Sequence, residues 1–273
     1  MNNPFSYSSV KLDLYSRDGA RLKQASGFMV EAGGNYFLIT NWHVLSGKDF
    51  ALPQDSPIDV PFTLRTSLHI YSGDGENKPP LSWGMWRRIT IPLYDKNNTP
   101  AWIEPQNKQN LPKADVAVLP VSKNESLPLN ASLRSFTMRS QAPTTHSEQW
   151  VRISAIPISS IDTKVEYGPS DRVNVVGFPR GWAPNGSDKS SSAFWRTASI
   201  ASEIYETGMS RWEFTFFIDP CPLAGMTGSP VLGLKNKQLK LLGVYSDSST
   251  AEFGANAGIV WDAWLVKELV GSD

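Results

Sequence analysis

Residues 223–232 read LAGMTGSPVL, and the reading of GMTGSP, residues 225–230, decides how the whole chain is understood. Small or special-geometry residues surround a single hydroxyl, that of Thr227, with Gly225 before it and Gly228 after it. Glycine reaches backbone conformations closed to other residues, so Gly225 can turn its N–H outward and Gly228 can let the chain leave in a tight bend. A glycine-rich β-turn without chemistry has the same composition, so the decision falls to the rest of the chain.

The 273 residues carry 40% hydrophobic and 19% charged side chains, the balance of an ordinary folded protein with a sizeable core. Lys plus Arg equal Asp plus Glu at 26 each, so no overall field favours nucleic acid or an anionic membrane. Cys221 is the only cysteine, which rules out an intrachain disulfide and suits a reducing compartment. The start, MNNPFSYSS, lacks the basic and apolar regions of a secretory signal, and no run of 18 apolar residues occurs. A cytoplasmic location is expected.

Short Val-, Ile-, Phe- and Tyr-rich segments alternate with Gly, Pro, Asn, Asp and Ser clusters, the pattern of many strands joined by turns. Examples begin at Val10, Ser26, Tyr36, Asp115, Arg172, Phe214, Ser229, Leu239 and Ala257. Residues 47–113 are Trp- and Pro-rich with turn clusters from Ser72 and Asp95, and read as loop-like insertions; a Gly/Ser/Asn-rich loop follows from Arg180. The end, DAWLVKELV from Asp262, predicts a helix capped by Asp262.

Of three histidines, His43 stands out, because it follows the apolar strand YFLIT in TNWHVL, residues 40–45, where a side chain can project into a cleft. Asp115, in ADVAVL, precedes a second apolar strand, and a carboxylate buried there needs a donor or a cation. An imidazole N–H is such a donor, and the bond fixes the ring tautomer so that the other nitrogen can accept a proton. Taken alone, Asp115 also reads as an ordinary turn or strand-capping carboxylate.

GMTGSP matches the slot in which chymotrypsin-like peptidases carry G-x-S-G-G/S-P. TNWHV, ADVAVL, GMTGSP, LGVYS from Leu242 and NAGIV from Asn256 follow in that family's order. From about residue 24 to the end, the chain resembles a trypsin-like serine peptidase of the bacterial, disulfide-free kind. The resemblance implies an all-β fold of two packed six-stranded antiparallel β-barrels with a C-terminal helix. Residues 1–273 would form one peptidase unit, its first barrel ending near residue 120 and its second running from about 121 to 273. It also implies peptide-bond hydrolysis, with His43 as general base then acid, Asp115 orienting it, Thr227 at the nucleophile position, and the N–H groups of Gly225 and Thr227 as oxyanion hole.

Thr227 departs from the family's serine. Its hydroxyl is retained, but the β-methyl restricts χ1 and weakens the approach of the oxygen to both His43 and a substrate carbonyl. Threonine nucleophiles work chiefly at a chain N-terminus, with their own amine as base, and Thr227 is internal. A weakened natural enzyme, a peptidase that tolerates threonine, and a laboratory replacement of serine all fit this sequence. Ser229 is a poor surrogate, since the family uses that position for backbone passage. The alternative function is a non-catalytic module that keeps the scaffold and binds a peptide or partner protein.

On the substrate side the resemblance puts Cys221 at the pocket floor, Gly258 in the pocket wall, and Asp247 and Ser248 on the segment that pairs with substrate backbone. Ser246 falls where a hydroxyl supports the aspartate. A cysteine floor implies a small or apolar residue before the scissile bond rather than a basic one. No metal-ligand spacing is present, and no cofactor is expected. The ten tryptophans lack basic interleaving and are read as packing. The expected partner is a protein or peptide substrate, without nucleic acid or membrane, and with nothing after Asp273 regulation would come from loops or another polypeptide.

Overall fold

A computed structural model describes residues 4–50, 59–72, 85–106, 114–121, 151–161, 167–180, 182, 192–203, 214–220, 222–246 and 257–271. After a short helix α1 (Pro4–Ser8), strands β1 (Ser9–Tyr15), β2 (Arg21–Ala32) and β3 (Asn35–Thr40) form an antiparallel meander. β1 alternates buried Val10, Leu12 and Leu14 with half-buried Lys11, Asp13 and Tyr15, the two-residue period of a sheet with one face on a core. One turn of helix, α2 (Trp42–Ser46), ends the meander. β4 (Thr63–Ser72), β5 (Met85–Pro92) and β6 (Ala117–Pro120) complete a sheet of order β5-β4-β1-β2-β3-β6.

Two short strands from later in the chain, β7 (Val151–Ile153) on β4 and β8 (Ile156–Pro157) on β2, return to this first sheet. The remaining strands are β9 (Arg172–Gly177), β10 (Phe194–Ile200), β11 (Thr215–Asp219), β12 (Pro230–Lys235), β13 (Gln238–Ser246) and β14 (Gly258–Asp262). They close into a barrel of order β10-β11-β14-β13-β12-β9. The expected all-β architecture is therefore observed as one closed six-stranded barrel and one half-barrel sheet whose six-stranded path is open among the described residues.

The loop-like expectation for residues 47–113 is corrected, because β4 and β5 form a long antiparallel hairpin running from Thr63↔Pro92 to Ile70↔Met85. The reason is visible in the alternation: Leu64, Leu68, Ile70, Ile89 and Ile91 are all buried in the first core, while Arg65, Arg88 and Thr90 face outward. Trp and Pro composition obscured a two-residue period. His69 on β4 is a core histidine, 2% exposed, with Nδ1 at 2.7 Å from Ser154 Oγ and its ring against Tyr7 and Trp86. His146 lies outside the described residues.

The two units share a core. Phe28, Val30, Ile39 and Val118 of the first sheet cluster with Val176, Phe178, Leu232, Val244 and Trp261 of the barrel, and each fully buried side chain of this size is worth about 1.5–3 kcal/mol. The C-terminal helix α3 (Ala263–Val270) packs Leu265 and Val266 onto that cluster. Asp262 caps it as expected, its Oδ1 accepting the N–H of Trp264 at 2.7 Å. Asp262→Ala is expected to lower stability by about 1 kcal/mol, read as a lower urea midpoint at unchanged slope. Among the described residues no helix is long and apolar enough to cross a membrane.

Candidate active site

The seam between the units is where the candidate residues gather. β3 ends at Thr40, and α2 turns the chain so that the His43 ring leaves the sheet end with its side chain 28% exposed. Asp115, two residues before β6, is almost fully buried at 3% side-chain exposure. Its burial is compensated by three donors. Oδ2 accepts from His43 Nδ1 at 2.7 Å and from the Ser246 hydroxyl at 2.8 Å, and Oδ1 accepts the His43 main-chain N–H at 2.9 Å. Ser246 comes from the last residue of β13, so this one carboxylate ties the barrel to the first sheet.

With Nδ1 committed to a carboxylate, the neutral imidazole carries its proton there and presents Nε2 as an acceptor. That is the chemistry a general base requires. Asn41 Nδ2 donates to the Asp115 carbonyl at 2.7 Å, so the aspartate is held by main chain as well as by side chain.

The GMTGSP segment lies across the seam, in the turns before β12. Gly225 has φ 93° and Gly228 φ 88°, both in the left-handed region that favours glycine. Space decides equally. A Cβ at Gly225 would stand 2.7 Å from the Arg180 nitrogen, and one at Gly228 would stand 2.1 Å from the Ser26 carbonyl oxygen. Gly228→Ala is therefore expected to prevent native docking of the turn, seen as a fall of several degrees in Tm.

Within this turn the N–H of Met226 donates to Leu223 O, that of Gly228 to Tyr245 O, and that of Ser229 to Met226 O. Among the described residues, the N–H groups of Gly225 and Thr227 donate to no acceptor. Both N–H groups, on alternate residues beside the Thr227 hydroxyl, are thus without a partner among the described residues. The Thr227 residue is 8% exposed, and among the described residues no hydrogen bond joins its hydroxyl to His43. Ser229 is fully buried, its hydroxyl pressed toward Gly177, where a substrate cannot reach it.

Several contributors were not singled out from sequence. Ser26, on β2, clamps the turn from the first sheet: its N–H donates to Thr227 O at 2.8 Å, its hydroxyl to Gly225 O at 2.9 Å, and that hydroxyl accepts from Phe178 N at 2.9 Å. Thr40 Oγ1 donates to Ser26 O at 2.9 Å. In the sequence Ser26 only opens the apolar run SGFMV, and nothing local marks its distant partners. Lys23 was missed as well; its Nζ donates to the His43 carbonyl at 2.9 Å. Desolvation lowers the Lys23 ammonium to about 8, against the opposing pull of Asp115 and Asp59.

Of the substrate-side candidates, Ser246 is on Asp115, and Gly258 begins β14 at the barrel end, where an added Cβ would meet the Tyr245 ring at 2.7 Å and Pro222 at 3.0 Å. Cys221, Asp247 and Ser248 lie outside the described residues. Among the described residues no group of three His, Cys, Asp or Glu is placed to hold a metal ion.

No protein-family model matches the chain, and no curated protein matches it. Among solved structures it is similar to the active form of the Rv3671c protease from M. tuberculosis, at 18% identity and a TM-score of 0.48, covering 97% of this chain and 80% of that one. It is also similar to an inactive-form mutant of Rv3671c from M. tuberculosis H37Rv, at 17% identity and a TM-score of 0.46, over 98% of this chain and 89% of that one. A third similarity is to a protein named GrC, at 11% identity and a TM-score of 0.49, over 99% and 97%.

Proposed function

We propose that the chain is a serine-type endopeptidase in architecture, with its reactivity restrained by threonine at the nucleophile position. The observation that carries this reading is the Asp115 carboxylate. It is buried, bonded to both the ring and the main chain of His43, and steadied by Ser246 from the other unit. A carboxylate meeting only a structural need would not have to fix one imidazole tautomer at the mouth of a seam.

In this reading Nε2 of His43 takes the Thr227 hydroxyl proton as Oγ1 attacks the substrate carbonyl carbon. The C=O electron pair moves onto oxygen, which the Gly225 and Thr227 N–H groups receive. Collapse of that tetrahedral species breaks the C–N bond, and His43 returns the proton to the leaving amine. Water, activated by the same imidazole, then cleaves the ester. Asp115 stays ionised throughout and stabilises the transient imidazolium. Cys221 and Gly258 would shape a pocket for a small or apolar residue, and Asp247 and Ser248 would pair with substrate backbone by strand addition. The substrate is a protein or peptide, and the single cysteine is in keeping with a cytoplasmic setting.

A second reading, a peptide-binding module without turnover, is favoured by the missing hydrogen bond between Thr227 and His43. A fluorophosphonate probe applied to this chain and to Thr227→Ser separates the two. Labelling at residue 227 in either form supports the peptidase reading; absence of labelling in both, with the fold intact, removes it and leaves the binding module.

A further inference from the structure

We infer that Lys23 is a positioning residue for the reaction proposed above: its ammonium grips the main-chain carbonyl of His43 and thereby holds the imidazole in place. The inference rests on that reading for its catalytic meaning, but the grip itself is a property of the fold.

Lys23 lies on β2 in register with Leu14 and, by the two-residue period, on the same side as buried Ala25. That side faces the first core, where an apolar residue is the ordinary occupant. A lysine head drawn toward such a place requires compensation. It finds the His43 carbonyl at 2.9 Å, together with the charges of Asp115 from the approach to β6 and Asp59 from the segment before β4.

The bond matters because α2 has only five residues, too few for its own backbone bonds to hold it. Its position is set from outside. On one flank, Asp115 Oδ1 accepts the His43 N–H; on the other, Lys23 Nζ donates to the His43 C=O, which also accepts Gly47 N–H at 3.2 Å. Both main-chain groups of His43 and its Nδ1 are thus fixed, leaving Nε2 as its one polar atom without a partner among the described residues. A charged donor binds more strongly than a neutral amine, so loss of the Lys23 proton slackens one flank of this clamp.

The sign of the pH effect separates positioning from mere support. A folded-state pKa near 8, below the ordinary 10.5, means that the folded chain releases this proton first. The contribution of Lys23 to stability therefore rises between those two values, while its hold on His43 weakens. A lysine with a purely structural role would not lower reactivity as it raises stability.

The test uses the full chain carrying T227S, with the fluorophosphonate inactivation rate followed from pH 6 to 10. The expected rate falls about tenfold as pH rises through 8, in the chemical step and not in initial probe binding. K23R, which stays charged, is expected to remove this alkaline fall, and K23M to react about tenfold more slowly at pH 7. An alkaline fall that persists in K23R, or K23M reacting at the undiminished rate, overturns the inference.

A second measurement needs neither catalysis nor a folded K23M. The sequence contains one His–Val peptide, residues 43–44, so a chain with carbonyl-13C histidine and 15N valine reports a single correlated signal. In the unmutated chain its carbonyl shift is expected to inflect near pH 8, and in K23R that inflection is expected to vanish. An inflection common to both chains, or none in either, defeats the grip. Absence of probe labelling in every variant would remove the peptidase reading, while this signal still decides whether Lys23 holds His43.

Discussion

Thr227→Ser is expected to raise the rate of probe labelling and of peptide hydrolysis by about 10²-fold or more, the scale associated with misplacing a reacting atom by about 1 Å. Serine keeps the hydroxyl and removes the methyl, so χ1 is freed to bring Oγ within reach of both Nε2 of His43 and an incoming carbonyl. The site around it is ready for that change. The turn is held by Ser26 at Gly225 and Thr227, and the two glycines that set its path are required by φ and by space alike. The substitution removes one methyl group at a site 8% exposed, and the expected change in stability is within about 1 kcal/mol. Steady-state cleavage of a peptide library by the two forms, with Tm measured alongside, is the check. Equal rates in both forms would show that the methyl group is not what restrains the site.

Asp115→Asn in the T227S background is expected to lower kcat by about 10⁴-fold. The carboxylate accepts three donors, namely His43 Nδ1–H, His43 N–H and Ser246 O–H. An amide offers one oxygen in place of two. Whichever way it is turned, an N–H₂ faces a donor, and the favourable relief is for the imidazole to move its proton to Nε2, where it can no longer act as a base. Leaving a buried donor unsatisfied is also expected to cost about 1–3 kcal/mol of stability. The two effects are separable, because His43→Ala, which removes the base without reversing a buried bond, should depress kcat comparably. Joined to Asp115→Asn, it should add little further loss, since residues acting as a unit are not additive. A residual activity near that of the T227S form would overturn the role given to Asp115.

The strands were legible wherever β-branched and aromatic apolar residues cluster, as in YFLIT from Tyr36 and RVNVVG from Arg172, because most of those side chains are buried or half-buried in a sheet. They were not legible in β4 and β5. There a one-sided sheet mixes Arg65, His69, Trp86 and Arg88 among its apolar residues, and turn clusters on either side outweighed the alternation. The helix at Asp262 was readable from its cap and spacing, both of which are local. His43, Asp115 and Thr227 could be picked out because each stands beside a segment with its own local signature.

Ser26, Asn41 and Lys23 had no such signature. Their importance comes from partners far along the chain: Ser26 bonds Gly225, Asn41 bonds Asp115, and Lys23 bonds His43. The sequence by itself determined the small menu of strands, the glycine-bracketed turn and the identity of the side chains able to exchange a proton, since these follow from local sterics and residue chemistry. Only the tertiary structure decided that Asp115 would meet His43 and Ser246 at one carboxylate, and that a lysine would grip the histidine from behind. The 2.8 Å bond from Ser246 to Asp115 depends on how two separately formed sheets pack, and the 2.7 and 2.9 Å bonds of His43 to Asp115 and Lys23 on how distant segments of the first sheet come together; packing is a property of the whole chain.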